Sequence, residues 1–140
     1  MKSKLLAVAV GIGIITTLPV LAAEHSTPTA PKAYLDMKNP LKEQKDVLER
    51  GEKVYEKKCK KCHGEKGDGK GSSADKLEIK PVSFVKPGYL KGRADGQLFF
   101  IIDKGSVNTD MDPFGPGSDT NLSKDDMWSV IAYMRKHFSK

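Results

Sequence analysis

Residues 59–63 read Cys-Lys-Lys-Cys-His, and no other stretch limits so sharply what this chain can fold into. Cys59 and Cys62 are its only 2 cysteines, so no other pairing competes for them. C-x-x-C-H is the pattern that attaches a c-type haem. The two thiols add across the two vinyl groups of the porphyrin, and the two residues between them set the sulfurs at that spacing. The histidine that follows is carried under the iron as the proximal ligand. A chain of this kind wraps its cofactor, which then supplies much of the apolar centre.

Three other uses of the pentapeptide compete. A redox dithiol stands at a helix start after a strand. Here the preceding residues 49–58, Glu-Arg-Gly-Glu-Lys-Val-Tyr-Glu-Lys-Lys, read helical with no strand before them. Structural zinc needs four ligands, and the other histidines, His25 and His137, are not spaced as a pair. A Cys59–Cys62 disulfide in a tight turn would leave His63 without a task. Haem attachment employs all three residues.

The N-terminus points to export. Met1-Lys2-Ser3-Lys4 is short and basic, Leu5 to Ile15 is apolar apart from Gly11 and Gly13, and Val20-Leu21-Ala22-Ala23 offers small residues for cleavage. That is the three-part plan of a secretory signal peptide, cleaved after Ala22 or Ala23. Left uncleaved, Leu5 to Ala23 is almost long enough to anchor the chain in a membrane. Haem is joined to such chains outside the cytoplasmic membrane, so the two signals agree on a periplasmic protein. The expected division is a signal peptide over 1–23, a flexible leader over 24–40 with Pro28 and Pro31, and one domain over 41–140.

The formal charge is +6, and it is unevenly spread. Gly51 to Lys91 holds eleven lysines against six acids, whereas Asp103 to Asp126 holds two lysines against six. Lys57, Lys58, Lys60 and Lys61 crowd the attachment turn, where an acidic redox partner would dock. The basic residues have few aromatic neighbours, which together with export argues against nucleic acid.

The periodicity reads as all-α. Asn39-Pro40 is a plausible start for a first helix over 41–59, with Val47, Leu48, Gly51, Val54 and Tyr55 on one stripe. Gly51 inside a helix costs about 1 kcal/mol against Ala, which points to close approach by another element. Residues 64–71 are a glycine loop, and 74–77 form one helical turn within an irregular stretch. Leu98 to Ile102 alone could be a strand, but Asp95 as N-cap and Gly105 past the end favour a helix. The last helix opens on a capping box, Ser123 with Asp126, and a staple, Leu122 with Met127. Met127, Val130, Ile131, Met134 and Phe138 continue its apolar stripe, and Arg135 and Lys136 suit its C-terminal dipole.

In this order the features are similar to those of class I, monohaem c-type cytochromes. Gly51 and Tyr55 precede Cys59; Cys62-His63-Gly64 leads to a glycine loop and Pro81; Asp95-Gly96-Gln97-Leu98-Phe99 leads to Lys104-Gly105; Met111 follows; a last helix carries Trp128 and Tyr133. The resemblance covers residues 48–138. It implies a few helices around one covalent haem c, with first and last helices crossing, so that Gly51 and Tyr55 meet Trp128, Val130 and Tyr133. Two places depart from the pattern. Met111-Asp112-Pro113 replaces the usual Met-Pro, and Ser72 follows Gly71 where many relatives carry Gly-Pro and take the histidine Nδ1–H on a backbone carbonyl.

A thioether sulfur as sixth ligand stabilises ferrous haem. Of the five methionines, Met1 belongs to the signal peptide, Met37 to the leader, and Met127 and Met134 to the last helix. Met111, in a Gly/Asp/Pro-rich loop, remains. Tyr89, Lys91 and Arg93 are the expected donors to the haem propionates. The expected function is a non-enzymatic electron carrier between redox partner proteins. The alternatives are a haem subunit of a larger oxidoreductase and a ligand-binding haem protein with an open sixth site.

Overall fold

The computed structural model describes residues 27–41 and 43–140; the expected signal peptide lies outside them. Helix α5, Lys124–Phe138, organises the fold. It opens on the expected capping box: Ser123 Oγ accepts from the Asp126 N–H at 3.1 Å, and the Asp126 carboxylate accepts from the Ser123 N–H at 3.1 Å. Val130 and Ile131 are 1% and 0% exposed, and Met127, Met134 and Phe138 are buried on the same stripe. Burial of that stripe, rather than helix propensity, holds the helix in place.

Helix α2, Lys45–Val54, crosses α5 in the most extensive contact between two elements. A Cβ on Gly51 would fall on the Ser129 carbonyl oxygen and the Tyr133 Cβ. The glycine is therefore required by backbone contact at the crossing. Ser129 and Tyr133 meet Gly51; Trp128 instead packs on Phe99, ring centroids 4.2 Å apart. The helix starts at Lys45, later than expected, with Gln44 as its N-cap; Asn39 makes a cap-like turn that no helix continues. Its Oδ1 accepts from the Leu41 N–H at 2.9 Å, and its Nδ2 donates to the Trp128 carbonyl at 2.9 Å.

Helix α4, Asp95–Lys104, is a helix and not a strand. Ala94 is its N-cap, one residue before the expected Asp95. The Asp95 carboxylate accepts from Arg135 Nε at 2.6 Å, and the other Arg135 nitrogens donate to the Leu90 and Arg93 carbonyls at 2.8 and 2.6 Å. Arg135 thus pins residues 90–95 to α5, beyond any role at the helix dipole.

The segment expected as a flexible leader is docked from residue 27 onward. Its short helix α1, Lys32–Leu35, packs on α4. The Ala30 N–H donates to Gln97 Oε1 at 2.8 Å, Gln97 Nε2 donates to the Pro28 carbonyl at 2.7 Å, and the Tyr34 ring meets Phe100 edge-on at 5.0 Å. Proline and polar residues deprive the segment of periodic structure; they leave its backbone free to bond side chains of α4. A single 3₁₀ turn, Ala74–Lys76, stands where a helical turn was expected. Among the described residues there is no strand, and no helix is long and apolar enough to cross a membrane.

Candidate haem site

After Val54 the helix widens. Over Tyr55–Cys59 the Lys60 N–H reaches back to the Tyr55 carbonyl, a π-type turn where a continuous α-helix was expected. Such bulges recur at functional sites because they re-aim one side chain. The chain then tightens into helix α3, Lys60–His63. This sequence of turns brings Cys59, Cys62 and His63 onto one cavity.

A four-residue helix leaves its carbonyls unpaired, and the glycine loop satisfies them. Gly64, Ser73, Gly71 and Gly69 donate to the carbonyls of Lys60, Lys61, Cys62 and His63 at 2.9, 2.9, 3.1 and 2.9 Å. A Cβ on Gly71 would fall on the Lys61 carbonyl, so this return path needs glycine. The buried Tyr55 hydroxyl donates to the Gly64 carbonyl at 2.7 Å.

The cavity holds about 1150 Å³ of empty space, part of it continuous with solvent. Its lining is largely apolar, with Leu98 and Ile102 from α4, Val130 and Met134 from α5, and Phe84. Met111 also lines it, from a loop closed on itself. Within that loop Ser106 N–H donates to the Met111 carbonyl at 2.9 Å, and Met111 N–H donates to Thr109 Oγ1 at 3.1 Å. All four residues expected at the site, Cys59, Cys62, His63 and Met111, therefore face the same space.

Burial sets the chemistry of these groups. His63 is stacked on Phe84 at 4.5 Å, and burial pushes its pKa down to about 4, against an opposing pull from the Val82 backbone. It is neutral at pH 7, with a lone pair available to a metal. Its Nδ1 is buried and makes no hydrogen bond of regular geometry. The Cys59 thiol is pushed up to about 12, by burial first and then by the neighbouring Cys62. A thiol so held is not a thiolate at neutral pH, which disfavours dithiol exchange. A wide apolar cavity, two thiols at its wall, a neutral imidazole and a thioether are the donor set that a covalently attached haem requires.

The polar rim differs from expectation. Tyr89 lines the cavity, but the Arg93 guanidinium lies 3.7 Å above the Tyr89 ring and bonds its carbonyl at 3.0 Å; neither Lys91 nor Arg93 lines the cavity. Lys58, Lys80 and Thr27 do. Nothing in the local sequence separates Lys80 from the other 23 of the 24 basic residues. Thr27 was hidden by the expectation of a leader.

None of the curated protein sequences matches the chain. A solved structure from the Kuenenia stuttgartiensis reducing HAO-like protein complex Kustc0457/Kustc0458 superposes with a TM-score of 0.60 at 26% identity, covering 76% of this chain and 49% of that one. The chain thus spans about half the length of that neighbour. Cytochrome CL from the marine methylotroph Methylophaga aminisulfidivorans superposes with a TM-score of 0.50 at 25% identity, covering 69% of this chain and 59% of that one. The family model for cytochrome c matches residues 48–138. With that match over an all-α frame and a cavity that fits its prosthetic group, the chain belongs to the cytochrome c family, which binds covalent haem c and serves haem-based electron transfer.

Proposed function

We propose that this protein is an exported, periplasmic monohaem electron carrier, with Cys59 and Cys62 holding the haem covalently and His63 and Met111 as its axial ligands. The observation that supports this most is the meeting of those four residues on one apolar cavity. Bound haem would supply a reversible one-electron couple at potentials set largely by its axial ligands. The chain's own residues do the rest. Cys59 and Cys62 would hold the group covalently at the cavity wall. His63, neutral and stacked on Phe84, would give one nitrogen to the iron while the Val82 backbone holds the ring through the other. Met111 would complete the ligand set, keeping substrates from the metal and leaving outer-sphere transfer. Leu98, Ile102 and Val130 exclude water and so limit reorganisation on electron exchange.

The redox partner would present an acidic surface to Lys57, Lys58 and Lys61, which are exposed beside the attachment turn. Lys60 is partly spent on Glu65, 3.8 Å away. A second reading, a haem subunit of a larger oxidoreductase, is favoured by the longer neighbour from a protein complex. Purified holoprotein tests the first reading in two steps. A pyridine haemochrome spectrum should show one thioether-linked haem per chain, surviving acid-acetone extraction. Stopped-flow oxidation by an acidic carrier protein should slow as salt rises, since screening acts over about 10 Å at 0.1 M. Colour lost to the organic phase would overturn covalent attachment. Co-purification in a fixed stoichiometric complex would select the second reading.

A further inference from the structure

Resting on the reading of Met111 as sixth ligand, we propose that Tyr34 and Asp103 are positioning residues for that ligand: residues 27–41 form a strap whose tyrosine fixes the base of the Met111 loop. The loop leaves the end of α4 and returns to it. Phe114 N–H donates to the Ile102 carbonyl at 3.0 Å and Gly115 N–H to the Asp103 carbonyl at 3.4 Å, so the last turn of α4 closes both ends of the loop. The Asp103 side chain sits inside this closure. It is 9% exposed, and its Oδ1 occupies the place a Cβ on Gly115 would take.

A carboxylate buried at such a point needs donors. One is the Tyr34 hydroxyl, which reaches Asp103 Oδ2 at 2.7 Å across 69 residues of sequence. The other is Lys104 Nζ at 3.1 Å, on a side chain that is 55% exposed and worth little by itself. The tyrosine is held in turn by rings of α4, Phe100 at 5.0 Å and Phe99 at 6.3 Å, while its own carbonyl lies where a Cβ on Gly96 would be. The strap is bonded again at Gln97 and reaches the cavity rim at Thr27. Without the hydroxyl, Asp103 keeps one exposed partner and turns toward water, which loosens the closure at Gly115 and the hold on Met111. The strap therefore sets how often the sixth position opens, though none of its residues is a ligand.

The experiment uses full-length holoprotein and imidazole as probe of the ferric sixth site. Tyr34→Phe should keep the haem and the Met–Fe charge-transfer band, yet bind imidazole tighter and faster, on the order of tenfold for loss of a hydrogen bond to a buried charge. Asp103→Asn retains an acceptor for the tyrosine and should fall between the two. The double variant should match Tyr34→Phe alone instead of adding to it. Gly51→Ala, which weakens the fold at the α2–α5 crossing against Ser129 and Tyr133, should leave imidazole binding unchanged. An equal imidazole affinity in native and Tyr34→Phe proteins would overturn the proposal, as would the same gain in Gly51→Ala. If Met111→Ala leaves the charge-transfer band intact, the sixth-ligand reading itself fails, whatever Tyr34→Phe does.

Discussion

The two sides of the cavity are built on different principles. The attachment side is local: Tyr55 to Gly71 carries both cysteines, the histidine, the glycine loop that pairs the carbonyls of α3, and the tyrosine that ties off Gly64. The Met111 side is assembled from afar, with α4, a loop and a strap whose key bond spans 69 residues. A local motif fixes geometry once a few backbone turns form. A non-local one depends on every element that frames it, so Met111, in the proposed role of ligand, should be the more readily exchanged.

The harshest break of this comparison is removal of the local anchor. Cys59→Ala or Cys62→Ala should reduce exported holoprotein to traces in haem-stained gels, since the apolar side chains of α4, α5 and Phe84 that line the cavity rely on the attached group for their packing. Normal holoprotein yields from the Cys59→Ala, Cys62→Ala double variant would show that attachment is not covalent. Breaking the opposite side is milder. Met111→Ala should keep its haem but lose the charge-transfer band and drop in midpoint potential by tenths of a volt, on the order expected for axial-ligand change. Met134→Ala is the sharp control, because Met134 lines the same cavity from α5. A changed band in Met134→Ala with an unchanged one in Met111→Ala would transfer the ligand to the helix.

Smaller again is the effect on the shared frame. Gly51→Ala gains about 1 kcal/mol of helix propensity but drives a methyl onto the Ser129 carbonyl, and overpacking typically costs about 1–3 kcal/mol or more. The holoprotein should unfold at lower guanidinium with its spectrum preserved; a stability equal to native would mean that the crossing has slack. Least of all, Ser123→Ala should cost about 1 kcal/mol through the lost cap. That capping box also carries a pH dependence. Burial works against ionisation of Asp126, but the bonds from Ser123 and Arg50 outweigh it and hold the carboxyl below its ordinary 3.8. Its contribution is complete above pH 3.8 and is lost as pH falls through the lower folded value. Acid titration of unfolding should therefore find Ser123→Ala closest to native at the acid end.

The same division decided what could be read from the residues in order. Cys59, Cys62, His63, the capping box and the Gly51 crossing were legible because each is encoded within a few positions or one helical period. The start of α2, the π-type turn and the docked strap were not. Asn39 looked like a cap, and its Oδ1 does accept from the Leu41 N–H, but its Nδ2 ties it to the Trp128 carbonyl and the helix begins only at Lys45. Tyr34 carries no local signal at all, since its partner lies in another element. Lys91 and Arg93 carry the donor chemistry that propionates call for, yet Arg93 is drawn onto Tyr89.

The crossing at Gly51 also orders events in time. Its partner surface belongs to α5, Lys124–Phe138, so α2 has nothing to cross until that segment has emerged. Closing a loop of that length is slow, and its contacts come only after the entropy of closure has been met. Meanwhile residues 59–63 stand exposed on an unfinished wall, open to whatever machinery loads them. Loading ahead of closure is therefore the natural sequence, and the fifteen residues of α5 act as the latch that seals it.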